Sequence, residues 1–242
     1  MVANKLLTAI AVTLLIGQTI NAQESEVETN TFGITRVSSR IDFSAAVGAS
    51  VYSASLGATR THGLLKSNKL RLGYGLRFSG MYGNDLNYTT APAKLIAEDK
   101  VDTFFIGEPI SLGLNAVIHI GYQFTPKLYA RFNIDAVGLG FGATNKRRFL
   151  PRDPASTAPV SVLARPTSYN VLLVGDNDIG SLKAQFFARY KFSEHFAVQA
   201  GMQNLFNELI TEKVWQTVPE KNDRFRAASS HGFAGLTYYF SL

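Results

Sequence analysis

Seven ionisable side chains stand out for the company they keep. Arg71, Arg77, His119, Arg131, Asp135, Lys183 and Arg189 each sit in a run where polar and apolar residues alternate. Successive side chains point to opposite faces of a strand, so each of the seven lies on the face the apolar residues avoid. Five cations against one carboxylate make that face basic. Such a face suits a narrow path for small anions, or a plug of mutually paired polar groups. Unpaired buried charge is costly, so Asp135 and water are expected to serve the arginines.

Other residues carry weaker chemical signals. Lys146, Arg147 and Arg148, with Arg152 beyond them, form a basic cluster whose guanidinium groups match the phosphates of lipopolysaccharide. A solvated loop base is the alternative reading. Asp176, Asn177 and Asp178 offer oxygen ligands to calcium, but lack the glutamate and spacing of a calcium loop, so a plain turn is expected. Hydrolytic chemistry on a lipid needs a nucleophile and a base within reach. Ser229 shares a strand face with His231 whereas Ser230 does not, and neither pairing has an assignable carboxylate orienter; His62 and His195 fall near the opposite rim. No catalytic residue, metal site or cofactor is therefore expected. The chain has no cysteine, which excludes a lipid-anchored lipoprotein, a disulfide scaffold and thiolate chemistry.

The elements that must position these groups centre on Ile110–Ile134. Ile110, Leu112, Leu114, Ala116, Ile118, Ile120, Tyr122 and Phe124 make one apolar face, and a turn at Thr125-Pro126 returns the chain through Leu128, Ala130, Phe132 and Ile134. The apolar register slips near Ala136-Val137, as a β-bulge would make it. Similar strands are predicted from about Val37 to Ala49, from Ser53 to Thr61, over Leu70–Tyr82, over Ser181–Phe192, from Phe196, and at the C-terminus through Leu242. Tight turns at Lys66–Lys69, Thr125–Lys127 and Ser193–His195 alternate with long irregular loops at 83–109, 144–178 and 207–229.

The N-terminus reads differently. Lys5 precedes an apolar run, Leu6–Ile16, that is about half the length of a transmembrane helix. With the small-residue junction at Asn21-Ala22-Gln23, residues 1–22 read as a cleaved secretory signal. Residues 23–36 read as a disordered polar lead-in and 37–242 as a single β domain. The mature chain then carries 23 basic and 18 acidic side chains, with no clustering of the kind that binds nucleic acid.

About eight strands with one apolar face each, and no helices to cover a sheet, predict an all-β, antiparallel, up-and-down barrel. A water-soluble barrel with its apolar face inward is the competing architecture. Aromatics decide for the membrane. Tyr122, Phe124, Tyr190, Phe192, Phe196, Tyr238 and Phe240 gather at one end of the apolar faces, and Phe78, Tyr82, Phe141 and Phe206 at the other. Two such girdles, with short turns on the periplasmic side and long extracellular loops, describe a transmembrane barrel. The signal ending in Ala-Gln, Gly121–Leu128, Phe132–Asp135, Leu172–Leu182 and the aromatic terminal strand resemble uncharacterised small outer-membrane β-barrel proteins of Bacteroidota. That resemblance implies fold and location, with no activity to carry over.

The expected role is structural or surface-binding: a monomer with a plugged lumen that contacts outer-membrane lipid and lipopolysaccharide, inserted by the barrel-assembly machinery through its C-terminal strand. A narrow channel for small anionic solutes is the second reading, and a lipid-modifying enzyme the third. An interior of about eight strands is just wide enough for side chains to fill, which favours the plug.

Overall fold

Alternation in the sequence becomes a wall that closes on itself. The computed structural model describes residues 34–91, 103–150, 161–173, 177–214 and 221–240. Eight long strands form the barrel: β1 (Val37–Val47), β2 (Val51–Leu64), β3 (Leu70–Gly83), β6 (Ile110–Gln123), β7 (Leu128–Phe141), β11 (Leu182–Lys191), β12 (Phe196–Thr211) and β13 (Arg224–Tyr239). Each pairs antiparallel with its neighbour in this order, and β13 returns to β1 with Ile41 opposite Tyr238. An antiparallel meander brings the fewest chain crossings, and closure removes both sheet edges.

The predicted bulge is present. Ala116 faces Val137 and Val117 faces Asp135, leaving Ala136 as the extra residue. It lets Asp135 and Val137 occupy opposite faces although they are two apart.

The three long segments correct the expectation of irregular loops. The first contains β4 (Leu86–Thr90) and β5 (Thr103–Ile106); the second contains β8 (Asn145–Leu150), β9 (Ser161–Pro166) and β10 (Tyr169–Val171). The third is shorter than predicted, because β12 runs on to Thr211 and β13 begins at Arg224. Above the barrel these pieces form a second closed ring, in the order β12, β9, β8, β5, β4, β13 and back to β12. Its interior is a small apolar core of Tyr88, Ile106, Val162, Ala164, Leu209 and Phe225. The long-loop end therefore carries a folded β-cap. Its strands are three to six residues long and pair with distant segments, so too few alternations fall in one stretch to be read.

At the short-turn end the packed chain begins earlier than the predicted domain. Ile34 is buried and its carbonyl accepts from Asn68, the Thr35 carbonyl accepts from Arg71 at 2.9 Å, and the Arg36 carbonyl accepts from the Gly63 N–H. The predicted signal segment and the rest of the lead-in lie outside the described residues.

Candidate functional site

Among the described residues, ionisable groups converge in the barrel interior. All seven predicted lumen residues are buried there. Most of them are organised in layers around carboxylates, and two of the three carboxylates were not foreseen; Arg71 instead donates to the Thr35 carbonyl and Ser38 Oγ.

Nearest the short turns, Asp42 of β1 gathers cations from three strands. Arg189 Nη2 donates to Oδ1 at 2.7 Å, Arg131 Nη1 to Oδ2 at 3.5 Å, and Arg40 Nε lies 3.6 Å from Oδ2. Thr237 and Thr59 add hydroxyl donors at 2.7 and 3.4 Å. Charge-assisted bonds of this kind are the strong ones, and removing their anion would strand three guanidinium groups. Arg131 also donates to His119 Nδ1 at 2.9 Å, which leaves the Nε2 hydrogen for Thr61 Oγ1 at 2.8 Å. The Phe187 ring, pointing inward on the polar face of β11, lies under the guanidinium groups of Arg131 (5.7 Å) and Arg189 (5.3 Å) and meets Phe233 edge-on.

The middle layer centres on Asp135 of β7. Arg77 donates to it through Nε at 3.0 Å and through Nη2, and reaches Asn133, Gln185 and the Lys183 carbonyl with its remaining hydrogens. Asn115 Nδ2 and the Lys183 N–H complete the second carboxylate oxygen at 2.9 Å each. The expectation that Asp135 and water serve the arginines is thus corrected: Asp135 serves Arg77, while Asp42 serves Arg131 and Arg189. Ile41-Asp42-Phe43 carries the same alternation as the other strands, so the signal for Asp42 was present.

At the joint between barrel and cap, Glu208 is fully buried. It accepts from Arg224, Arg226, Thr167 and the Gly180 N–H, at 2.9 to 3.0 Å. Gly180 has a φ of 82°, and a Cβ there would overlap the Tyr169 carbonyl, so only glycine turns its N–H into this carboxylate.

Small residues make the room for these long side chains. A Cβ built at Gly73 would overlap the His119 imidazole, and one at Gly121 the Tyr129 hydroxyl. Among the described residues the bore holds cavities of about 20 Å³ beside Lys183 and Asp135 and beside Asp42 and Arg131. Each holds about one water molecule. Above them, Asn207 accepts from the Tyr88 hydroxyl at 2.6 Å and donates to Ser111, tying the cap core to the top of the bore.

The outside is the inverse of the inside. Ile118, Ile120, Phe132, Phe186, Met202 and Leu236 are 41–62% exposed. A barrel in water would turn these inward; here the exposed belt is apolar and the interior is charged. The first girdle is in place, with Tyr122 against Phe124 at 5.1 Å, Phe196 against Tyr238 at 5.3 Å and Tyr238 against Phe240 at 5.6 Å. Tyr190 and Phe192 are exposed at the same end, and Tyr52 meets Tyr82 at the other. From Phe196 to Phe206 on β12 is ten residues, which at the usual rise and tilt is about 25 Å, the height of a hydrocarbon core in this class. This is an integral outer-membrane β-barrel.

No family model matches the sequence, and no curated protein matches it. Among solved structures the chain is similar to Neisserial surface protein A (10% identity, 84% of this chain and 96% of that one, TM-score 0.34). It is also similar to the Yersinia pestis outer membrane protein Ail in a phospholipid bilayer nanodisc (9% identity, 84% and 99%, TM-score 0.33). A designed transmembrane β-barrel gives 10% identity, 84% and 95%, and a TM-score of 0.30.

The remaining candidates separate. Lys146, Arg147 and Arg148 belong to β8 of the cap and not to a loop, because β8 is held between β5 and β9; Arg148 is exposed. Arg152 and Asp176 lie outside the described residues. Asp178 closes a turn, with its Oδ1 accepting from the Leu173 N–H at 2.7 Å and its carbonyl accepting from Arg224 and Arg226. His231 is not at the outer rim but inside the wall, opposite Gln203, since the strands continue beyond it. Its Nε2 meets the Gln203 amide at 3.0 Å, and Ser230 donates outward to Asn204. His62 stacks on Tyr74 and His195 on Tyr238.

Proposed function

We propose that the protein is a closed barrel whose work is done at its surface: it anchors in the outer membrane and holds the β-cap on the exterior face. The observation that carries this reading is the packing of the bore. Among the described residues, layered arginine–carboxylate pairs fill the bore around cavities of about 20 Å³, and the cap core lies across the long-loop mouth. A hydrated anion needs a continuous path, and single-water cavities do not provide one. The reading is non-enzymatic: among the described residues the ring partner of His231 is the Gln203 amide and not a carboxylate. The exposed Arg148 on the cap supports contact with lipopolysaccharide phosphates.

Planar-bilayer recording of the purified protein tests it. The expected trace is indistinguishable from protein-free bilayers. Steady anion-selective conductance would replace this reading with that of a narrow channel.

A further inference from the structure

One side chain on the apolar belt is an amide. Asn204 of β12 points outward between Met202 and Phe206, exposed and just inside the upper aromatic girdle. Ser230, opposite it on β13 and also exposed, donates to Asn204 Oδ1 at 2.6 Å. An amide offers two hydrogens and two lone pairs, and this bond engages one lone pair. Among the described residues nothing accepts the Nδ2 hydrogens. Hydrocarbon supplies no acceptor, so leaving them unmet is costly.

The surface beside this amide is shaped for close approach. Ala228, Ser230, Gly232 and Ala234 face outward along β13, opposite Phe206, Asn204, Met202 and Ala200 of β12. At the first three of these levels a long side chain stands next to a small one. Ala45 of β1, opposite Ala234, extends the low ground to the next strand.

Gly232 differs from the glycines of the bore. Gly73 and Gly121 are glycines because a Cβ would strike side chains inside the barrel. At Gly232 a Cβ would come no nearer to another atom than 3.9 Å, at the Gly201 carbonyl. The barrel itself does not require a glycine there, and glycine within a strand weakens it. Such a residue marks a place where another backbone comes close.

In hydrocarbon, apolar surface alone does not drive association; close packing of small residues and hydrogen bonds do. Two copies inserted in the same direction are related by a two-fold axis along the membrane normal. An axis between β12 and β13 lays β12 of each copy over β13 of the other. Met202 and Phe206 then fill the space above Gly232 and Ala228, and the Asn204 amide donates to the Ser230 hydroxyl across the axis. Both contacts occur twice, so the face is its own complement.

We infer that the β12–β13 face pairs with the same face of a second copy, forming a dimer within the membrane. This replaces the monomer expected from the sequence. It goes beyond the surface role proposed above, and a conducting or silent bore leaves it untouched.

The chain has no cysteine, so introduced ones report contacts without background. Full-length protein carrying Ala234→Cys on this face, or Ile118→Cys on the far side of the belt, is placed in phosphatidylcholine vesicles and treated with a short bismaleimide. Ala234→Cys is expected to give a cross-linked dimer and Ile118→Cys a single chain. Adding Asn204→Leu to Ala234→Cys should lower the dimerisation constant about tenfold, the value of two such hydrogen bonds, read from cross-linking as lipid dilutes the protein. Gly232→Phe, which fills the low ground, should abolish the cross-link. Each variant is first checked for the mobility shift of a folded barrel between unheated and boiled gel samples. Equal cross-linking from the two cysteine positions, or cross-linking unchanged in folded Asn204→Leu, would overturn the inference. So would no cross-link at any protein-to-lipid ratio, which would leave the face to lipid.

Discussion

Asp42 and Arg189, separated by 147 residues in the chain, meet across the bore with Arg189 Nη2 at 2.7 Å from Asp42 Oδ1. The pair links the first barrel strand to the sixth, and Arg131 and Arg40 share the same carboxylate. Removing the anion from a buried group of this kind typically costs about 3–5 kcal/mol, since the cations stay behind unpaired. Asp42→Ala is therefore expected to lower sharply the urea concentration at which the unheated, fast-migrating gel band is lost. Thr237→Val removes only one hydroxyl donor and should cost about 1 kcal/mol. Equal midpoints for Asp42→Ala and the unaltered chain would disprove the role given to this layer.

The bulge at Ala136 makes a sharper demand. Because Ala136 is the supernumerary residue, deleting it leaves Asp135 inward and Val137 outward, and every later side chain of β7 on its present face. Deleting Ile134 instead moves Asp135 to the lipid side, since strand faces alternate with a period of two. A charge there is strongly unfavourable. The Ala136 deletion should assemble and show the mobility shift, and the Ile134 deletion should not. Assembly of both would mean that register in this hairpin is not set by the bulge.

Adjacent phenylalanines on β11 separate the inside from the outside. Phe186 is 62% exposed on the belt, whereas Phe187 is buried beneath Arg131 and Arg189. Phe186→Leu exchanges one apolar side chain for another in lipid and should change stability by less than about 0.5 kcal/mol. Phe187→Leu loses two cation–π faces and is expected to cost about 1–2 kcal/mol. Urea titration of the two variants side by side checks the contrast, and equal losses would count against it.

The sequence showed the barrel because one rule governs all eight strands within the membrane: apolar outward, polar inward. The same rule displayed Arg40 and Asp42 opposite Ile41 and Phe43, though only Asp135 was singled out as an anion. The cap was hidden because the rule reverses there. On β12 the inward residues pass from Gln199 and Gln203 to Leu205 and Leu209, and Asn207, Glu208 and Leu209 are all buried in succession. A segment buried on both sides has no alternation to read, so Glu208 looked like part of a loop.

The cap has its own core, and that gives it a separable stability. Phe225 is fully buried among Tyr88, Ile106, Val162, Ala164 and Leu209, and none of these contributes to the charged layers below. Phe→Ala in such a core costs about 3–5 kcal/mol, which a small six-stranded ring cannot absorb easily. Phe225→Ala should therefore open the cap to trypsin at the exposed Arg148 and Arg165 while the membrane barrel keeps its gel shift. Glu208→Ala should do more, because Arg224, Arg226, Thr167 and Gly180 from three segments converge on that carboxylate at the joint. Trypsin sensitivity and the urea midpoint of the gel shift, measured on both variants, separate the two effects. If Phe225→Ala lowered the barrel midpoint as far as Asp42→Ala does, cap and barrel would be one cooperative unit and the cap could not open alone.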